Sequence, residues 1–538
     1  MKNITEKTNH KIEKTMKTNK LLLGLMAVGA LFSCSNDESE FTNPVTGQVE
    51  TSYITINVNS AHDVTRASDY ADGDADETKV NKAIFFFFDN AGSPFNVASE
   101  IGGTGVNYIV RGNLNGSSST SENVETITEA VLTIKNNKGA NPAKVVAVLN
   151  WDYSGASIAL ADLKKELVAE ADATGANGFV MSNSVYMSGT EVMDATPITA
   201  ANISADAADA NAVAVQIYVE RVAAKVTVES EAADDLYDTG VLNPLSGENF
   251  YAKVVGWDIN TTLSHSNIVK EINASWTDAN TGIAAWNIEG YKRSFWGTSV
   301  AAGNGVSLAK SFSWNSLTNV VATPDYCLEN TTGENTKVVV KAQISKADGT
   351  PVEVVKFLGE YITVDGLKNQ IASALATKFY KYDGASYTGI EPADIELLQA
   401  GESGADSYTV TYKLAAAAEA ATWKAKSDDG TTYSDIAAAD VNTALAALTG
   451  AQIWNDGMAY YYIDVKHLGS AGSVAEYGVV RNHSYVVNVT GITGLGTPVY
   501  DGDNEIEEPV TPTDTESFIS AQINVLSWRL VSNNVILK

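Results

Sequence analysis

The chain has 538 residues, with 36 lysines and arginines against 65 aspartates and glutamates, a formal charge of −29. At roughly 150 residues per domain this length holds two to four domains, and a hydrophobic fraction of 44% fills real cores. The acidic balance excludes an unaided nucleic-acid binder, since neutralising phosphates takes clustered Lys and Arg; two cysteines, Cys34 and Cys327, exclude a disulfide scaffold, and the histidines are scattered (His10, His62, His265, His467, His483).

Lys17 and Lys20 precede the apolar run from Leu21 to Phe32. The run is shorter than the ~20 residues a bilayer span needs, so residues 1–33 read as a signal peptide with a basic n-region. The polar, Lys-rich stretch before Met16 allows translation to start at Met16. The run ends Leu31-Phe32-Ser33-Cys34, which resembles a bacterial lipobox. That resemblance implies that Cys34 is diacylated, and two acyl chains anchor stably where one is marginal. The acidic Ser35-Asn36-Asp37-Glu38 that follows resembles the surface-export signal of Bacteroidetes lipoproteins.

The body reads as strands. Ser52 to Val58 alternates strictly, with Ile54, Ile56 and Val58 on one face, a half-buried strand. Val80 to Phe88 is apolar throughout and stops at Asp89-Asn90-Ala91-Gly92, as a strand buried on both faces does before a turn. Further strands are predicted at Val131–Ile134, Lys144–Leu149, Phe179–Met181 and Val213–Val228, and a short amphipathic helix at Asp162–Ala171. A second half begins near Asn249, with strands predicted at Tyr251–Asn260, Thr336–Ile344, Val352–Leu358, Ser407–Leu414, Met458–Val465 and His483–Val489. Helical spacing and alanine content predict helices at Asp365–Phe379, Leu414–Ala425 and Ile436–Leu448, although the alanine tracts also fit low-complexity insertions. Thr497 to Ser517, with three prolines and seven acids, predicts an extended linker. Beyond it Ile519, Ala521, Ile523 and Val525 lie on one strand face, Leu526, Trp528 and Leu530 on the other, and Val535 and Leu537 follow a Ser532-Asn533-Asn534 turn. This apolar tail either closes a sandwich of its own chain or is presented to another chain.

No His-Glu-x-x-His, Gly-x-Ser-x-Gly or phosphate-binding loop is present. Asp72 to Asp76 imitates a calcium loop, but Glu77 and Ala83 stand where that loop needs Gly and Glu, which leaves a solvated turn. No catalytic residue, metal ligand or cofactor is assigned. Trp257, Trp276, Trp286, Trp296, Trp314 and Trp454 concentrate in the second half and read as packing, with a sugar platform as the alternative. Arg66 is the only Lys or Arg between Lys20 and Lys79 and sits in a polar connection after the first strand. A trypsin-like protease therefore has one bond to cut there, Arg66-Ala67.

Several stretches together resemble the major fimbrial subunits of Bacteroidales, the fimbrillin type, and specifically the short-fimbria branch. They are Thr65-Arg66-Ala67, Phe179 to Ser184, Tyr218 to Val226, Val255 to Asn260, Tyr326 to Thr331, Tyr477 to His483, and the ending Gly494 to Pro498 followed by Ile523 to Trp528. The long section 398–450 carries least of the resemblance. The resemblance implies a mainly β fold of two tandem transthyretin-like or Ig-like β-sandwich domains with a few short helices. Residues 1–33 are then the signal peptide, 34–66 a propeptide carrying the removable strand (Ile54, Ile56, Val58), 67–245 the N-terminal sandwich, 246–517 the C-terminal sandwich with its acidic linker, and 518–538 the donor strand (Ile519, Ala521, Ile523, Val525, Trp528, Val535, Leu537). It further implies an outer-membrane lipoprotein precursor, cut after Arg66 by an Arg-specific protease and polymerised head to tail with copies of itself. The other implied partners are fimbrial anchor and tip subunits and adhesion receptors on host or bacterial cells. The competing reading is a monomeric surface glycan-binding lipoprotein.

Overall fold

The computed structural model describes residues 51–61, 73–97, 105–112, 114, 117–118, 124–135, 141–175, 178–188, 191–193, 195–204, 213–272, 292–297, 310–330, 335–508, 518–526 and 529–536. Cys34, Arg66, Ala67, Trp528 and Leu537 lie outside the described residues, and so does the turn region 62–72. The described residues all belong to one compact unit, Val49–Lys538.

The first assembly is a ten-stranded sheet. Its principal strands are β1 (Thr51–Ala61), β2 (Lys82–Phe88), β3 (Tyr108–Gly112), β4 (Val124–Lys135), β5 (Lys144–Leu149), β6 (Met181–Asn183) and β7 (Val215–Arg221), in the spatial order β3-β2-β5-β6-β7-β1-β4. A sheet this wide curls, and its inner face closes on one core that gathers Phe85, Phe87, Leu132, Val145, Ile217 and Ile56. The opposite face of β2, with Ile84, Phe86 and Phe88, is covered by Leu160, Leu163, Val168 and Ile268. Strand β2 is thus buried on both faces, as its unbroken apolar run predicts. Asp89 closes its turn by accepting the backbone N–H groups of Ala91 and Ser93 at 2.8 Å each, with Gly92 at φ +82.

The predicted helix at Asp162–Ala171 is instead two single turns, Leu160–Leu163 and Glu170–Ala173, around a short strand, Leu167–Ala169. That strand pairs with His265–Asn267, which recruits the backbone the helix would have used.

The run predicted as one strand from Val213 to Val228 is one extended segment divided between two sheets. It leaves the first sheet as β7, passes the buried Val222, and enters the second assembly as β8 (Ala223–Ser230). With β9 (Leu236–Asn243), β10 (Glu248–Asn260), β11 (Asp325–Leu328), β12 (Lys337–Ser345), and later β17 (Met458–Asp464), β18 (His483–Thr493), β19 (Phe518–Leu526) and β20 (Arg529–Ile536), it makes a sandwich of two sheets. One sheet runs β11-β8-β18-β19-β20, the other β9-β10-β12-β17. They enclose Val226, Val228, Tyr485 and Val487 from one side and Val254, Trp257, Ile344 and Tyr461 from the other. Cys327 is buried in this core as a free thiol, and burial pushes its ionisation well above the ordinary range.

Between β12 and β17 a lobe is inserted. Gln343 pairs with Met458, so the two strands form a hairpin whose tip has been replaced by segment 346–457. The lobe has its own core, including Val355, Leu367, Ile371, Tyr412, Trp423 and Leu445. The helices predicted at its two ends are present as Val364–Leu375 and Ala438–Ala446. The middle one shrinks to Ala416–Glu419, because the chain turns into a strand at Trp423.

The acidic segment after Thr497 is not a linker throughout. Thr497–Pro498 pairs with β17 and Glu505–Ile506 with Phe312–Ser313, while Val499 and Ile506 are buried against Phe312, Val339 and Tyr460.

Candidate assembly site

Strand β1 occupies the inside of the first sheet, between two partners. It runs parallel to β7, Ile56 opposite Val215 and Val58 opposite Ile217, and antiparallel to β4, Ile54 opposite Leu132 and Ile56 opposite Ala130. The pairing with β4 extends from Thr51 to Ala61 with one irregularity near Asn59. Ile56 is fully buried in the inner core. Withdrawing β1 therefore exposes two facing rows of unpaired backbone groups and one vacated core position, a slot that a single extended segment refills.

After the undescribed residues 62–72 the chain is held again at once. The turn Ala75–Thr78 sets Glu77 into the junction with the second assembly, where it is 1% exposed. Its Oε1 accepts the Tyr326 hydroxyl at 2.5 Å and the Lys225 ammonium at 2.8 Å, its Oε2 accepts the Asp74 N–H at 2.7 Å, and Arg221 Nε donates to its carbonyl at 2.9 Å. Burial pushes the carboxyl upward, but the Lys225 ion pair and the hydrogen bonds from Tyr326 and Asp74 outweigh it and hold Glu77 below its ordinary value. Asp74 and Asp76 are exposed, as a solvated turn requires, and only the next residue, Glu77, is buried. The available signal was the Asp-x-x-Glu spacing of Asp74 and Glu77 at a helix start.

A second buried group fixes the same junction. Arg481 is 1% exposed and donates to Glu329 (2.8 Å), to the Ile268 and Asn267 carbonyls (3.1 and 2.8 Å) and to the Ser266 hydroxyl (2.8 Å). These contacts satisfy the planar guanidinium that burial would otherwise penalise. Beside it, burial raises the Glu220 carboxyl above its ordinary value.

The C-terminal segment lies at a sheet edge. β19 pairs antiparallel with β18, Ile523 opposite Val487 and Val525 opposite Tyr485, with Ala521 opposite Val489 and Ile519 opposite Ile492. β20, which contains Val535, folds back on β19. The tail thus closes a sheet of its own chain here. Because β19 and β20 are the last two strands, their departure shortens the sheet without dividing it, whereas the departure of β1 divides one.

Among the described residues the tryptophans do not gather into a platform. Trp257, Trp296 and Trp454 are buried, and their indole N–H groups donate to the Val320, Val479 and Leu495 carbonyls at 3.0, 2.8 and 3.0 Å. Trp314 is half-buried and donates to the Ala459 carbonyl, while Trp276 and Trp286 lie outside the described residues.

Residues 452–534 match the family model described as major fimbrial subunit protein type IV, fimbrillin, C-terminal. No curated protein matches the chain. Among solved structures, a fimbrilin from Porphyromonas gingivalis W83 is 14% identical with a TM-score of 0.34, over 90% of this chain and 98% of that one. The tip fimbrial protein of Porphyromonas gingivalis with a C-terminal truncation is 11% identical with a TM-score of 0.32, over 89% of this chain and 100% of that one.

Proposed function

We propose that the chain, whose residues 452–534 match the fimbrillin C-terminal family model, is a fimbrial subunit that polymerises by exchanging β1 for the tail of another copy. In this reading the precursor reaches the outer membrane with a lipid on Cys34, and an Arg-specific protease cuts Arg66-Ala67. Strand β1 then leaves, and the β19–β20 segment of a neighbour enters between β7 and β4. The observation that carries the reading is the interior position of β1 between those two strands.

An incoming strand restores both hydrogen-bond ladders at once, and its alternating apolar positions set the register. The lengths are compatible, with 11 residues in β1 and 9 in β19. The Glu77 clamp keeps the chain downstream of the cut bound to the junction, so that proteolysis releases the strand and not the turn that follows it. Each copy gives its tail to one neighbour and receives from the other, a head-to-tail contact that propagates instead of closing. Anchor and tip subunits would end the polymer, and receptors on host or bacterial cells would meet its surface.

The test is paired. Arg66→Ala should leave full-length, membrane-bound precursor and no filaments on the producing cell under the electron microscope. Deleting residues 519–538 should leave a folded protein that is cleaved but does not polymerise. Filaments of normal length from the Arg66→Ala strain would overturn the reading.

A further inference from the structure

The inserted lobe bears a four-stranded sheet of β13 (Phe379–Tyr382), β14 (Tyr387–Gly389), β15 (Trp423–Lys426) and β16 (Tyr433–Ile436), in the order β14-β13-β15-β16. Strand alternation divides its side chains sharply. Phe379 and Trp423 point into the lobe core. The other face carries Tyr380, Tyr382, Tyr387 and Tyr433 with Lys424 and Lys426. Tyr382 stands opposite Tyr387, Tyr380 opposite Lys424 and Lys426 opposite Tyr433.

The rings form a row. Tyr387 stacks on Tyr433 at 4.0 Å and 16°, lies 4.8 Å from Tyr382 on its other side, and is 43% exposed; Tyr380 meets Tyr433 edge-on at 5.1 Å. Lys424 lies 5.2 Å from the Tyr382 ring centre, and Lys426 lies 5.8 and 5.6 Å from those of Tyr380 and Tyr433. Rings packed against one another on their faces offer a ligand their edges and hydroxyls, and an aromatic edge is the positive part of the ring quadrupole. Tyr382 donates its hydroxyl to the Gly384 carbonyl at 2.7 Å; among the described residues no such bond occupies the hydroxyls of Tyr387 and Tyr433. Lys424 is paired with Asp435 at 2.5 Å, whereas among the described residues Lys426 forms no ion pair.

We infer that this face is a binding site for an acidic polysaccharide of the uronic-acid type. In a molecule of charge −29 the lobe presents a local row of ring edges, phenol hydroxyls and ammonium groups, which is complementary to a carboxylate flanked by sugar hydroxyls. Lys424 and Lys426 stand within the row, whereas the core of a stable protein interface is depleted of charged residues. The two edge strands have 3 and 4 residues, too short to add an extended peptide as a further strand. The lobe replaces a hairpin tip and fills its own core, so the sandwich beneath does not depend on this face. The inference is independent of strand exchange and is tested on the single folded chain.

Affinity electrophoresis of the full chain in gels containing polygalacturonate, its methyl ester or poly-L-glutamate tests it. Polygalacturonate should retard the chain, while the ester, which lacks the charge, and polyglutamate, which lacks the sugar, should retard it at least tenfold more weakly. Tyr387→Ala and Lys426→Gln should each weaken retardation at least tenfold with unchanged circular dichroism, and the lysine variant serves if the tyrosine variant does not fold. Equal retardation by polyglutamate would mean simple charge pairing and overturn the site. Absence of retardation, unchanged retardation of a folded Lys426→Gln chain, or concentration-dependent self-association through this face would do the same.

Discussion

The Tyr326 hydroxyl donates to the Glu77 carboxylate at 2.5 Å across a sequence separation of 249 residues. The bond ties the turn Ala75–Thr78 to β11 in the second assembly. Gly73, just upstream, lies so close that a Cβ built there would sit 2.4 Å from a nitrogen of the Arg221 guanidinium. Strand β1 and the turn that holds Glu77 are separated by one short polar segment, 62–72, and that segment contains Arg66.

Glu77→Gln keeps the shape and removes the charge, leaving Lys225 without its buried partner. Glu77 titrates below its ordinary 4.5 in the folded chain. Its contribution is therefore present above the unfolded value and lost as pH falls through the depressed folded value. At pH 7 the substitution should cost about 1–3 kcal/mol, read from urea midpoints, and the gap to the parent chain should close towards pH 3. A gap of the same size at both pH values would show that the charge is not what stabilises the clamp.

Arg481→Met should cost about 3–5 kcal/mol, because it strands the Glu329 carboxylate in the junction. Adding Glu329→Leu should recover most of that loss, since two apolar side chains carry no unpaired charge. Chemical unfolding of the two single variants and the double variant gives the coupling directly. A double variant as unstable as the sum of the singles would mean that the two residues act independently.

What the sequence discloses depends on how local the cause is. The Phe85–Phe88 run announces a strand buried on both faces, and Lys144–Leu149 coincides with β5 to the residue, because periodicity and composition act within a few residues. The strand character of Ser52–Val58 is equally legible, but its place between β7 and β4 is not, since strand order is decided by partners more than 60 residues away. The passage from β7 to β8 at Val222 is marked only by a change of phase, from the odd apolar positions Val215, Ile217 and Val219 to the even ones Ala224, Val226 and Val228, while strand character continues on both sides of it. At Asp162–Ala171, helical spacing yields to the partner strand at His265–Asn267. In the acidic tail the prolines and carboxylates dominate the composition, while the apolar packing on Phe312, Val339 and Tyr460 comes from the isolated Val499 and Ile506.

That docking has a consequence for proteolysis. Ile506 packs on Phe312, Val339 and Tyr460, and the Tyr460 hydroxyl donates to the Glu507 carbonyl at 2.7 Å. A Glu-specific protease should leave Glu505, Glu507 and Glu508 uncut in the parent chain, because cleavage needs local opening. Ile506→Ala removes about 2–4 kcal/mol of packing, enough to speed cutting there more than tenfold with little change in global unfolding. Rapid cutting of the parent chain at these residues would return the segment to the status of a free linker.

Ile56 separates the stability of the precursor from that of the polymer. Its side chain is fully buried in the inner core of the uncut chain, so Ile56→Ala should lower precursor stability by about 2–4 kcal/mol through the cavity it leaves. On the proposed reading, cleavage at Arg66 and departure of β1 leave the same position in a released fragment, and the neighbour's tail fills the slot. Filaments assembled from the variant should therefore melt at the same temperature as those of the parent, while the purified precursors differ by several degrees. Ile523→Ala should do the reverse, weakening the filament more than the precursor, because β19 belongs to the terminal strand pair of its own sheet, whereas on the proposed reading it stands between two strands of its neighbour. Scanning calorimetry of both forms reads the two effects. An Ile56→Ala filament that melts as early as its precursor would show that β1 never leaves.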